Sequence, residues 1–318
     1  MRTERATPQM QLRALLVVTL AAAAALAPTK ASAYCRTTTV AVPADYSPRG
    51  GECWTQGVSL WWRSACVGFS LQRDGSTQVP LETATRGVEQ AFRRWASATC
   101  GADGARVSID FRNLGPVECG NVQYKPYGNT NVIVFRDDAW PHPGAKNTLA
   151  LTTVTFDPQT GEIYDADIEI NTSDQTVTVT DPVPPNGYDY LSIVTHEAGH
   201  FLGLAHSAQE DATMYARYLP GRTNMRDLAK DDAEGACAIY PPDGTRNVDP
   251  SVDPSGVIQG GRCDATPRRG FLPTCDAPEK DKCAVGVGPG LPQSVGLGAF
   301  GAAAAAAALL FRRRRARR

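Results

Sequence analysis

The stretch His196-Glu197-Ala198-Gly199-His200-Phe201-Leu202-Gly203-Leu204-Ala205-His206 constrains this chain more than any other, because few local geometries reconcile three imidazoles and a carboxylate at this spacing. On an α-helix, His196 and His200 project from one face, one turn apart, and can grip a single ion. Glu197 follows the first of them and can lean toward the same cleft without ligating. Gly203, three residues after His200, can adopt φ > 0, end the helix and turn the chain back sharply. That turn lets His206 supply a third ligand. Three neutral imidazoles leave zinc an open position for water, as hydrolysis requires and a closed structural site forbids. A water on such a metal loses its proton near neutrality, and Glu197 is placed to take it.

HExxH by itself arises by chance in many helices. Here Gly203 and His206 extend it, and three of the chain's four histidines fall within these eleven residues. A structural or degenerate zinc site is the remaining alternative.

In these residues the chain resembles the metzincin peptidases. Downstream of His206, in Asp211-Ala212-Thr213-Met214-Tyr215, Met214 is suited to the Met-turn that floors the zinc site in that clan. Without the zinc motif it would read as an ordinary buried methionine. Within the clan the likeness is greatest to matrixins: Ser207 follows the third histidine, and Met214-Tyr215 repeats their Met-Tyr pair. Astacin-like and serralysin-like members carry a tyrosine two positions after the methionine, where this chain has Ala216. The resemblance implies His196, His200 and His206 as zinc ligands, Glu197 as catalytic base and Met214 as a structural residue. It covers roughly Tyr34 to Pro241.

The expected fold is α+β: a metzincin-like domain with a twisted mixed sheet, a backing helix, an active-site helix and a C-terminal helix. Val88, Ala91, Phe92 and Trp95 form one helical stripe within Gly87 to Trp95. Matrixin-like proteins have a similar AFxxW helix behind the sheet. Val107 to Phe111 alternates like a half-buried strand, whereas Val132 to Phe135 is a continuous apolar run suited to an interior strand. Thr153 to Asp157 and Asp167 to Asn171 read as two further strands around a turn. The zinc helix is predicted to begin near Tyr188 or Asp189, with Leu191, Val194, Ala198 and Leu202 on its buried face and His196 and His200 turned away. A last helix runs from about Leu228 to Ile239 and stops at Pro241-Pro242.

The ends of the chain bear on its compartment. Arg2, Arg5 and Arg13 precede the apolar run Leu15 to Leu26, and Ala31-Ser32-Ala33 follows as a cleavage site, so residues 1–33 read as a secretory signal peptide. All nine cysteines lie beyond it, as an oxidising compartment would favour. At the far end, 284–318 holds an apolar Gly/Ala-rich segment, Val295 to Phe311, and then an arginine block. Seventeen residues is the lower limit for a bilayer span. The order of Cys283, apolar segment and arginines resembles C-terminal sorting tails of exported bacterial proteins, particularly the myxobacterial type. That implies cell-surface display at the outer membrane, or release after processing, with membrane contact only through the tail. A nucleic-acid-binding tail is the competing reading. Without Arg2, Arg5, Arg13 and Lys30, the six tail arginines and Glu4, the body carries a net charge of about −10, which disfavours nucleic acid as its partner.

The peptidase domain is expected over 34–241, and 242–283, rich in Pro, Gly and Asp, reads as a linker. Cys263 and Cys275 could close a loop there, though sequence does not decide the pairing; setting Cys283 aside leaves eight cysteines for four disulfides. Three departures from the matrixin pattern stand out. The second, structural zinc of that family needs three histidines, and only His142 remains. The cysteine-switch motif has only a poor counterpart in Pro48-Arg49-Gly50-Gly51-Glu52-Cys53. For the calcium common in matrixins, Asp157, Asp165, Asp167 and Asp174 lie near turns that could host it, although exposed acidic turns are usually just solvated.

The expected function is an exported, monomeric zinc endopeptidase. Its protein or peptide substrate would lie extended beside an edge strand such as Leu149 to Thr153. The alternatives are a surface-displayed binding protein on the same scaffold, without catalysis, and a disulfide-stapled envelope protein whose histidines are coincidental.

Overall fold

Val88, Ala91, Phe92 and Trp95 are buried along one stripe of α1 (Leu81–Ala96), with Glu82 in its first turn and Arg93 and Arg94 in its last, each charge opposing the helix dipole. The computed structural model describes residues 34–43, 46, 48, 52–118, 120, 122, 124–125 and 128–274, and the backbone of 293–302. The expected leader and the arginine block lie outside the described residues.

Behind α1 stand β1 (Cys66–Leu71), β2 (Asp110–Asn113), β3 (Val132–Phe135), β4 (Thr148–Phe156) and β5 (Ile163–Ile170). Further along the chain come α2 (Tyr190–Phe201), β6 (Arg217–Tyr218), α3 (Lys230–Ile239), β7 (Thr245–Asn247), β8 (Val257–Gln259) and β9 (Gln293–Ala302). The main sheet runs β6-β9-β4-β5-β3-β1-β2. β1, β2, β3 and β5 pair in parallel, while β4 returns antiparallel to β5, with Thr152 opposite Ile168 and Ala150 opposite Ile170. The sheet is therefore mixed, and the fold is the α+β arrangement expected from sequence.

Aromatic rings join the layers. Phe92 of α1 stacks on Phe69 of β1 at 4.7 Å and Phe111 of β2 at 4.5 Å, and meets Phe201 of α2 edge-on at 4.9 Å. Gly87 lets the helices approach closely: a Cβ there would lie 2.7 Å from the Tyr190 ring. Trp95 Nε1 crosses the same interface to the Thr195 carbonyl at 2.8 Å.

Some boundaries move. The strand read at Val107 to Phe111 is β2, which starts at Asp110; Val107 and Ile109 are buried ahead of it. The segments Thr153 to Asp157 and Asp167 to Asn171 belong to longer strands beginning at Thr148 and Ile163. β1 was not legible because every residue is buried, so no alternation marks it.

The segment expected as a linker is packed onto the domain as far as Thr274. Its β7–β8 hairpin carries Arg246, which is fully buried. The guanidinium donates to the Trp62 carbonyl, Ser108 Oγ and the Ser108 carbonyl, and lies over the Tyr240 ring at 4.8 Å. Cys263 pairs with Cys66 on β1 rather than closing a loop with Cys275. At Gly68 a Cβ would meet the Ala265 carbonyl at 2.2 Å, so a glycine in β1 admits the crossing chain. Point contacts of this kind leave no periodic trace. Two more disulfides, Cys35–Cys53 and Cys100–Cys237, join the N-terminal segment to itself and α1's exit to α3. Cys119, Cys275 and Cys283 lie outside the described residues.

Candidate metal centre

Asp189 caps α2, its carboxylate accepting from the backbone N–H of Ser192 at 2.9 Å and the Ser192 hydroxyl at 2.8 Å. Arg226 grips the same carboxylate through two nitrogens, at 2.9 and 2.8 Å, and so ties the loop after β6 to the helix start. At the other end Gly203 has φ 97°, and a Cβ there would sit 2.9 Å from the Leu60 carbonyl. The Trp62 indole and the Tyr240 hydroxyl donate to the Phe201 and Leu202 carbonyls, satisfying groups that the terminating helix exposes. The chain then turns back, Leu204–Ala205 pairs antiparallel with Cys35–Arg36, and His206 comes round.

The three imidazoles converge as the spacing predicted. Their candidate ligand atoms lie within 4.8 Å of one another, and His200 Nε2 is 3.2 Å from His206 Nε2. The outer nitrogens settle the tautomers. His196 Nδ1 faces the Thr213 carbonyl at 2.6 Å, and His200 Nδ1 faces the Leu204 carbonyl at 2.9 Å. A carbonyl only accepts, so each Nδ1 carries the hydrogen and each Nε2 turns a lone pair inward when the ring is neutral. Burial holds the rings neutral. It drives His196 far below its ordinary pKa, helped by the neighbouring imidazoles, and takes His200 to about 4 and His206 to about 3. Neutral rings with converging lone pairs are the donor set of a borderline-soft cation such as zinc. Among the described residues this is the one group of three or more His, Cys, Asp or Glu side chains with metal-ligand spacing.

Glu197 is fully buried beside the triad. The Thr152 hydroxyl on β4 donates to its Oε2 at 2.6 Å, while Oε1 is buried and accepts no hydrogen bond. Burial pushes this carboxyl up to about 8, against the pull of Thr152.

Met214 lies directly under the helix. A Cβ on Gly199 would stand 2.2 Å from Met214 Sδ and 2.8 Å from Trp95 Cζ2, so the glycine inside the motif is what lets the methionine close the floor. Asp232 of α3 fixes the turn, accepting from the N–H groups of Thr213 at 2.7 Å, Met214 at 3.0 Å and Ala229 at 2.8 Å. Thr213 therefore has its amide held by Asp232 and its carbonyl against His196.

Where one helix face was expected to be buried, nearly the whole circumference is: Ser192 to Phe201 are all buried and only Leu191 is half-exposed. α1, the sheet and the Met214 turn enclose the helix from different sides. Thr152, Asp232, Gly199 and the Asp189–Arg226 pair were not singled out as site residues from sequence. Gly199 alone carried a readable signal, a glycine inside a helix that needs a packing reason. His142 Nε2 donates to Glu169 at 2.7 Å, and the Arg136 guanidinium donates to the same carboxylate. Asp165 and Asp167 sit inside β5 rather than at turns: Asn129 donates to Asp165 and the Val132 N–H to Asp167. Asp157 accepts from the Gln159 and Thr160 amides and the Tyr164 hydroxyl, and Asp174 from Ser173.

The matrixin family model matches residues 61–241, more than half of the chain and the whole of this site. Similar proteins include metalloendoproteinase 1-MMP of Arabidopsis thaliana, 28% identical over 54% of this chain and 42% of that protein. Human neutrophil collagenase is 35% identical over 60% of this chain and 35% of the relative, and human matrilysin 28% over 56% and 58%. The chain thus spans less than two-thirds of the length of the relatives it matches. With the family model covering the histidine triad, the Met214 turn and the sheet that carries them, the chain belongs to the matrixin family.

Proposed function

We propose that the protein is an exported zinc endopeptidase that hydrolyses peptide bonds in proteins, with Glu197 as its general base. The observation that carries this reading is the convergence of three neutral imidazoles, those of His196 and His200 with their tautomers fixed from outside, beside a buried carboxylate with one uncommitted oxygen. His196, His200 and His206 would hold the metal. Bound there, zinc would supply Lewis-acid polarisation of the scissile carbonyl and acidify a water.

The protein's own groups do the rest. Thr152 fixes the Glu197 carboxylate through Oε2, leaving Oε1 to take the proton of the attacking water and return it to the departing amine. β4, which carries Thr152, would offer backbone hydrogen bonds to an extended peptide on its side away from β5, the side on which β9 stands in the sheet order. The loop from Tyr215 to Arg226, anchored by Arg226 to both Asp189 and Asp181, would shape the pocket beside the reacting bond and so set specificity.

Three disulfides among the described residues and the leader-like N-terminus support export. The apolar segment and arginine block support a sorting tail, and the acidic body argues against nucleic acid as a partner.

The test is elemental zinc together with casein cleavage by the wild type and by Glu197→Ala. One zinc per chain in both, with chelator-sensitive cleavage in the wild type alone, is expected. Equal cleavage by the two proteins refutes the role of Glu197, and zinc without cleavage by either points to a binding protein on this scaffold.

A further inference from the structure

The edge of β4 is already occupied. β9 lies between β4 and β6, antiparallel to β4 and parallel to β6, and against α2. Its register sets it beside the part of β4 that reaches the site: Leu297 pairs with Thr152, whose hydroxyl holds Glu197, and Gly296 with Thr153. Gly301 pairs with Thr148 on one side and Arg217 on the other, Arg217 being three residues beyond Met214. Between Leu297 and Gly301 the register with β4 slips, next to Thr152. Backbone pairing with a sheet edge is how an extended peptide is held, with affinity from main-chain hydrogen bonds.

We propose that Gln293–Ala302 fills the substrate cleft of its own chain as a strand-like occupant and holds the full-length protein latent. This rests on the peptidase reading of the site.

The occupant is built to be displaced. Its sequence, Gln-Ser-Val-Gly-Leu-Gly-Ala-Phe-Gly-Ala, contains three glycines and a single β-branched residue, a weak strand composition. A free peptide of this kind would bind poorly, but tethering gives it an effective concentration on the order of millimolar. If the free segment binds at about 0.1 mM, tethering slows cleavage of an added peptide about tenfold. Latency by a cysteine thiolate is not open to Cys53, the nearest residue to such a motif, because it is bonded to Cys35.

The test uses full-length, zinc-loaded protein whose intact mass shows the C-terminus retained. Successive N–H groups of a strand point to opposite sides, so the double substitution Gly296→Pro, Leu297→Pro removes one donor facing β4 whichever way the ladder runs. Hydrogen exchange is measured in a Glu197→Ala background, which prevents trimming, with protection of α2 as the check that the chain is folded. The expected result is that alternate amides of Thr148–Phe156 are protected in the parent and lose protection in the proline variant. With Glu197 intact, the proline variant should cleave a fluorogenic peptide about tenfold faster than the parent, and a synthetic 293–302 peptide should inhibit it competitively. Identical exchange of β4 in the two folded proteins overturns the proposal. So does an exchange difference accompanied by equal cleavage rates. An exchange difference with no cleavage by either protein supports occupancy of the cleft and refutes the peptidase reading instead.

Discussion

Gly199→Ala isolates the contact between the zinc helix and its floor. In an unconstrained helix interior this change stabilises by about 1 kcal/mol, because glycine loses more backbone freedom on folding. Here the new methyl would stand 2.2 Å from Met214 Sδ and 2.8 Å from Trp95 Cζ2, both distances that force movement. Trp95 is fully buried, and its indole is committed to the Thr195 carbonyl, so the methionine must yield. Overpacking of this kind costs about 1–3 kcal/mol, which outweighs the helix gain. Met214→Ala alone should cost about 2–5 kcal/mol through the lost burial and the cavity it leaves. In the double variant the methyl added at position 199 enters the space Met214 vacates, leaving only the Trp95 contact. The two changes should therefore couple favourably by about 1–2 kcal/mol, measured by urea unfolding of the four zinc-saturated proteins. A second readout follows from His196, whose Nδ1 is held by the carbonyl of Thr213, adjacent to Met214. Moving the turn disturbs that bond, so Gly199→Ala should weaken zinc binding about tenfold in competition with a chelator. Additivity within about 0.5 kcal/mol, or a Gly199→Ala protein more stable than the parent, would refute the reasoning.

Thr152→Val removes the hydroxyl on Glu197 while nearly keeping its volume; it should lower kcat/KM about tenfold or more, since a hydrogen bond to a charged group contributes about 1.5–3 kcal/mol, and leave zinc content unchanged. Rescue by Thr152→Ser separates this positioning role from packing, and failure of the serine variant to recover activity would count against it. Asp165 and Asp167 give a pH dependence. Burial raises both, Asp165 to about 6 and Asp167 well above its ordinary value, the latter also through the charge of Asp165. A carboxyl raised on folding binds protons more tightly in the native state, so its stabilising contribution is complete below the unfolded value of about 3.9 and is lost as pH rises through the folded one. Asp165→Asn should therefore gain stability relative to the parent by on the order of 2 kcal/mol between pH 4 and pH 7, read as the difference in urea midpoints with zinc saturating. A difference that shrinks over that window would contradict the assignment.

The zinc site was legible because its parts are local. Four residues bring two imidazoles to one helix face, and a glycine that reaches φ 97° reverses the chain within three residues of His200. Nothing long-range had to be known. The residues that tune the site come from elsewhere in the chain: Thr152 from β4, Trp95 from α1, Asp232 from α3 and Arg226 from the loop after β6. Each is an ordinary residue in its own segment, and only the tertiary fold gives it a partner. The same holds for the stretch read as a linker, where a buried arginine and a disulfide to β1 replace any periodic pattern. An irregular segment can be firmly packed without looking so.

The apolar run near the C-terminus has more than one kind of partner open to it. Val295 to Phe311 is apolar enough to suggest a membrane, yet its first part, Val295 to Ala302, forms a ladder with β4. Apolar character reports a drive to leave water and does not say where the chain will go. What distinguishes the destinations is the backbone. A bilayer demands that every N–H and C=O be satisfied within the segment, whereas a sheet edge supplies the partners itself. β4 supplies such partners to β9, and the chemistry beneath it is what would make occupancy by the chain's own tail consequential: under the proposed function, the strand that relieves the tail of its unpaired backbone is the strand a peptide would need to reach Glu197.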